Sequence, residues 1–155
     1  MTIDFAHYIG REQAFVKHTF LDQYLPALIG KVCSRYDELV YVDGFAGPWK
    51  SAAGENFDDT SFGIALNHMT RLRLHYLGRG RDIKMRAFLV EKDANSFAQL
   101  QKAIAHYPKI EINPLNGMME DYAEKIASSI PSAAFSFTLI DPKGFPEIGA
   151  MMPLL

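Results

Sequence analysis

The sequence has one cysteine, Cys33, and only five histidines among 155 residues. A lone cysteine excludes an internal disulfide, and no Cys/His spacing is present that would build a zinc site. The expectation is a metal-free protein of a reducing compartment. No stretch approaches the roughly 18 uninterrupted apolar residues of a spanning helix. The opening MTIDFAHYIGREQ has no basic region followed by a long apolar run. A cytoplasmic location without membrane association is therefore expected. Surplus positive charge is missing too: 16 basic against 18 acidic side chains leave a net charge of −2. The chain as a whole is no polycation made for nucleic acid, so any basic surface must be local. Internal repeats and low-complexity segments are also lacking.

What is present is the composition of a folded domain, 48% hydrophobic and 22% charged. From Glu12 to Ile29 the apolar pairs Phe15/Val16, Phe20/Leu21, Tyr24/Leu25 and Leu28/Ile29 recur at the step of one helix face. Pro26 removes a backbone donor within that helix and predicts a kink or a break there. Leu39 to Asp43 and Met85 to Glu91 are apolar runs closed by an acid, the pattern of strands buried on both faces. Lys109 to Asn113 alternates, and Ala134 to Asp141 is again apolar with a closing aspartate. Helical patterns lie between them: Thr60 to Tyr76 behind a cap at Asp59 or Thr60, Ala94 to His106 behind Asp93, and Met118 to Ser129. Strand and helix in strict alternation predict an α/β, Rossmann-like parallel sheet with flanking helices. The division is an N-terminal helical segment, 1–38, and a core, 39–155.

In such sheets ligands sit beyond the carboxyl ends of the strands. Three of the four predicted strand ends carry an acid: Asp43, Glu91 and Asp141. Each taken singly is explained by capping of the next helix; three together point to a site. Gly44 and Gly47 after Asp43 let the backbone turn and approach a ligand, or make a plain tight turn. A dinucleotide fingerprint needs G-x-G-x-x-G opening into a helix and an acid about 20 residues on; this loop instead runs into Pro48 and Trp49. A ligand bound without a phosphate cradle fits better. Glu91 can accept hydrogen bonds from both hydroxyls of a ribose, and Asp43 suits a cationic or amino group. Together they describe an adenosine with a positively charged tail, such as S-adenosylmethionine.

YVDGFAGPW, DDTSFGIAL, FLVEKD and LIDPKGF, in this order and preceded by VKHTFLDQYL, resemble the three-Cys-motif partner proteins (TcmP), which have the class I S-adenosylmethionine-dependent methyltransferase fold. The resemblance implies that Asp43, Gly44, Phe45, Ala46 and Gly47 line the methionine side of the cofactor and that Glu91 holds its ribose. Asp93 and the turn at Leu115 to Gly117, with Asn116, would lie near the adenine. Asp141, Pro142 and Lys143 fall where related methyltransferases carry the acid-Pro-Pro-aromatic motif that holds a target amino group, which makes them the implied catalytic residues. Lys143 stands in place of the second proline, and Trp49 where many methyltransferases have a second glycine. The family's name points to a partner protein carrying a three-Cys motif.

The class I sheet has further strands beyond the fourth, so the resemblance covers the cofactor half and implies a fold truncated after the fourth strand. An open edge on that strand predicts self-association or a completing partner. Lys17 and His18 on the first helix either face water or cover the cofactor mouth. Residues 71–86, RLRLHYLGRGRDIKMR, hold Arg71, Arg73, Arg79, Arg81, Lys84 and Arg86 against Asp82. They read as a solvated helix end or as a phosphate contact to nucleic acid. The function expected is methyl transfer from S-adenosylmethionine to a nucleic acid or to a partner-presented substrate. The alternatives are a noncatalytic cofactor-binding or nucleic-acid-associated module of the same fold, and another nucleotide-binding enzyme built on it.

Overall fold

The computed structural model describes residues 5–47, 57, 59–141 and 152–154. In chain order these form α1 (Glu12–Cys33), β1 (Glu38–Asp43), α2 (Ser61–Leu77), β2 (Lys84–Glu91), α3 (Ala94–Ile104), β3 (Glu111–Asn116), α4 (Met119–Ser129) and β4 (Phe135–Leu139). Short 3-10 turns lie at Phe5–Tyr8 and Met152–Leu154. The four strands pair in parallel in the order β3-β2-β1-β4. Helices cover both faces, which makes the fold α/β and Rossmann-like.

The two-residue period of the strands divides the core into two layers. Leu39 and Tyr41 of β1 and Met85, Ala87 and Leu89 of β2 pack with Leu25 and Ile29 of α1, Phe62 and Met69 of α2, and Leu100 of α3. Val40, Val42, Phe88 and Val90 form the opposite layer with Met119 and Ile126 of α4. The N-terminal helical segment thus shares its core with the sheet. Full burial of a side chain such as Leu25 or Ile29 contributes about 1.5–3 kcal/mol.

Pro26 does not break α1, which runs unbroken from Glu12 to Cys33. Packing explains this: Leu21, Leu25, Ile29 and Val32 are buried on both sides of the proline, and this outweighs one missing backbone hydrogen bond. β3 begins and ends later than the alternation of 109–113 suggested, and it includes Pro114 opposite Leu89. A proline is tolerated because β3 is an edge strand. β4 is only half-buried, and among the described residues it has β1 as a neighbour on one side alone. Among the described residues no helix is long and apolar enough to cross a membrane.

β2 and β3 extend from one side of β1 and β4 joins the other, so the sheet changes direction between β1 and β4. The crevice beyond the carboxyl ends at this switch is where such sheets hold ligands.

Candidate functional site

β1 delivers Asp43 to the carboxyl edge of the sheet, where it is 1% exposed. Its Oδ1 accepts the Phe45 N–H at 3.0 Å. Its Oδ2 accepts the hydroxyls of Tyr41 at 3.0 Å and Ser61 at 2.6 Å. Burial is the largest influence on this carboxyl and raises its pKa above the ordinary value, while the donors and the charge of Lys17 pull it back. The same burial, with the Asp43 charge, holds the Tyr41 phenol well above its usual range. Asp43 is therefore an internal hub that joins β1, the loop after it and the first turn of α2.

That loop is pinned from both sides. The Gly44 N–H donates to the Leu139 carbonyl at 3.2 Å and the Ala46 N–H to the Val90 carbonyl at 2.9 Å. A Cβ on Gly44 would stand 3.0 Å from Cγ of Met119, so glycine lets the loop lie close against the start of α4. At the end of β2, Glu91 is 2% exposed. Its Oε1 accepts the Asp93 N–H at 2.7 Å. Its carbonyl accepts the Asn116 side chain at 2.8 Å and the Gly117 N–H at 3.1 Å. Burial raises the Glu91 pKa, opposed by the Asp93 N–H.

Above these strand ends opens a cleft of about 780 Å³. Its floor is Gly44, Phe45 and Gly47 after β1 and Val90, Glu91 and Lys92 after β2. Its rim is Asp59, Thr60 and Ser61 before α2, residues 117–120 leading into α4, and Asp141 after β4. Arg11, Gln13, Ala14, Lys17 and His18 of the α1 region close the remaining side. Thr60 is the cap of α2, its hydroxyl accepting the Gly63 N–H at 3.1 Å. Asp59, 1% exposed, pairs with Arg11 at 3.0 Å. Lys17 pairs with Asp141. His18 is buried, with Nδ1 2.9 Å from the Tyr8 hydroxyl. Burial, then the charges of Lys17 and Arg11, push its pKa down to about 4, so it is a neutral imidazole at pH 7.

The residues singled out in the sequence separate accordingly. Gly44, Phe45, Gly47, Glu91 and Asp141 line the cleft. Asp43 sits beneath it and Ala46 is fully buried. Asp93 caps α3 by accepting the Ser96 N–H at 2.8 Å, and with Asn116 it fixes Glu91 from behind. Trp49, Pro142 and Lys143 lie outside the described residues. Lys17 and His18 both border the cleft. Arg11, Met118, Met119 and Glu120 were not foreseen: long-range packing brings Arg11 to the cleft, whereas Met118 to Glu120 follow directly after β3, at the carboxyl edge where the strand-end rule points.

The basic segment 71–86 is largely engaged within the chain. Arg71 donates to His68 at 2.8 Å, and Arg73 pairs with Asp82 and Arg81 with Asp37. Lys84 and Arg86 meet both Glu38 and Glu111. Among the described residues no group of three or more His, Cys, Asp or Glu side chains is arranged to hold a metal ion.

The cleft can therefore offer carboxylate acceptors at the end of β2 and after β4, cations from α1, and apolar contacts from Phe45, Met118 and Met119. No protein-family model matches the chain, and no curated protein matches it.

Proposed function

We propose that the cleft binds S-adenosylmethionine and that the chain is a class I methyltransferase of the three-Cys-motif partner type, acting on a nucleic acid or on a partner-presented substrate. The observation that carries this reading is the pairing of a buried carboxylate, Glu91, with the close-lying Gly44–Gly47 backbone at the switch point of the sheet. The volume of about 780 Å³ is in the range of small-molecule sites. Among the described residues, no glycine turn after β1 opens directly into a helix N-terminus to cradle phosphates, β1 ending at Asp43 and α2 beginning at Ser61. A nucleoside without a phosphate chain suits these walls better than a dinucleotide.

The residues present fit this cofactor. Glu91 would accept the ribose hydroxyls, and Asp93 and Asn116 hold that carboxylate and its backbone in place. Met118 would flank the purine. The loop of residues 44–47 would approach the methionine side, with Asp43 fixing its shape from below. When bound, the cofactor supplies an electrophilic methyl group on a sulfonium. The work of the chain is then to position and to exclude water. Asp141, at the rim, would hold an N–H of the acceptor and orient its lone pair.

Incubation with S-adenosylmethionine carrying a tritiated methyl, followed by counting of DNA, RNA and protein fractions, tests the reading. Label on one of these identifies the acceptor class. Bound cofactor with no label in any fraction favours the noncatalytic module of the same fold.

A further inference from the structure

Lys17 and Asp141 come from opposite ends of the described chain, one on α1 and the other just past β4, and they pair across the mouth of the cleft that both line. Two of the other acids that line the cleft have buried positions. Glu91 accepts a backbone N–H, and Asp59, at 1% exposure, is sealed against Arg11. Asp141 is different: its partner is the tip of a flexible four-carbon chain, and the two side chains are 36% and 42% exposed. A pair that open to water contributes too little to be a staple of the fold. It can be displaced at small cost.

We infer that Lys17 is a specificity-determining residue: its ammonium occupies, at Asp141, the place of a nitrogen donor on the methyl acceptor, and the acceptor enters by displacing it. This rests on the S-adenosylmethionine reading of the cleft. An incoming amino or amide nitrogen takes over the hydrogen bond and leaves Asp141 satisfied. An acceptor presenting only oxygen acceptors there would leave Asp141 facing like partial charge, a penalty that discriminates as strongly as an attraction. The Lys17 charge also acts on Asp43 and His18, so the group being displaced stands among the ionisable residues of the site.

The test compares two cofactor analogues by calorimetry on the whole chain. S-adenosylhomocysteine has no group at the transferred-methyl position, whereas sinefungin carries an amine there. In Lys17→Met the affinity ratio of sinefungin to S-adenosylhomocysteine should rise by up to about fivefold, the upper end for an exposed pair. Lys17→Gln should move it in the same direction, and Asp141→Asn should lower it below wild type. An unchanged ratio in these variants overturns the inference while leaving the cofactor reading intact. So does an equal loss of both ligands in Lys17→Met, which would make Lys17 part of the cofactor pocket. Failure of wild type to bind either analogue removes the cofactor reading and the inference with it.

Discussion

Ser61 Oγ donates to Asp43 Oδ2 at 2.6 Å and so ties the first turn of α2 to the end of β1. Asp43 is 1% exposed, so its carboxylate relies on protein donors. Ser61→Ala should therefore destabilise the fold by about 1.5–3 kcal/mol, the usual range for a hydrogen bond to a charged group. Urea unfolding measures this. A loss under about 0.5 kcal/mol, the spread of ordinary surface substitutions, would mean that Asp43 is not a structural hub.

Gly63 offers a test in which two effects have opposite signs. In an exposed helix interior, alanine stabilises relative to glycine by up to about 1 kcal/mol. Here a Cβ would overlap the Phe57 carbonyl oxygen, a backbone atom held by the Thr60 N–H and hydroxyl. Overpacking of this kind costs about 1–3 kcal/mol, so Gly63→Ala should lower the melting temperature. A rise would show that Phe57 does not press against α2.

His18 should make the protein acid-sensitive over a defined window. Its pKa falls from the ordinary 6.5 to about 4 on folding, so between these values the unfolded chain binds the proton and the folded chain does not. Stability from this group is present above pH 6.5 and is lost as the pH falls toward 4, by roughly 3–4 kcal/mol in all. His18→Asn should flatten this part of the stability profile, measured by urea unfolding at a series of pH values. An unchanged slope would contradict the buried, neutral imidazole.

The sheet was legible in the sequence because Val40 to Val42 and Ala87 to Val90 are continuous apolar runs, as strands covered on both faces require. That Glu91 and Asp141 lie at the cleft follows from the rule that pockets open beyond the carboxyl ends of the strands, which depends only on strand direction. Asp43 lies at the same edge, but its burial was not readable: beside the local donors Tyr41 and Phe45, the Ser61 donor arrives only when α2 is docked. The continuity of α1 through Pro26 and the strand over Pro114 both reflect tertiary placement overriding a local preference. Arg11 and Asp59 pair across 48 positions, a contact that no spacing rule could supply.

The measurement closest to the central claim is a calorimetric titration of the chain and of Glu91→Ala with S-adenosylmethionine, NAD and ATP. The wild-type chain should bind S-adenosylmethionine in preference to the two phosphate-bearing nucleotides. Glu91→Ala should lose about 1.5–3 kcal/mol of that binding, roughly tenfold or more in affinity, while remaining folded by circular dichroism. Preference for NAD or ATP, or an unchanged S-adenosylmethionine affinity in a folded Glu91→Ala variant, would contradict the assignment of the cleft.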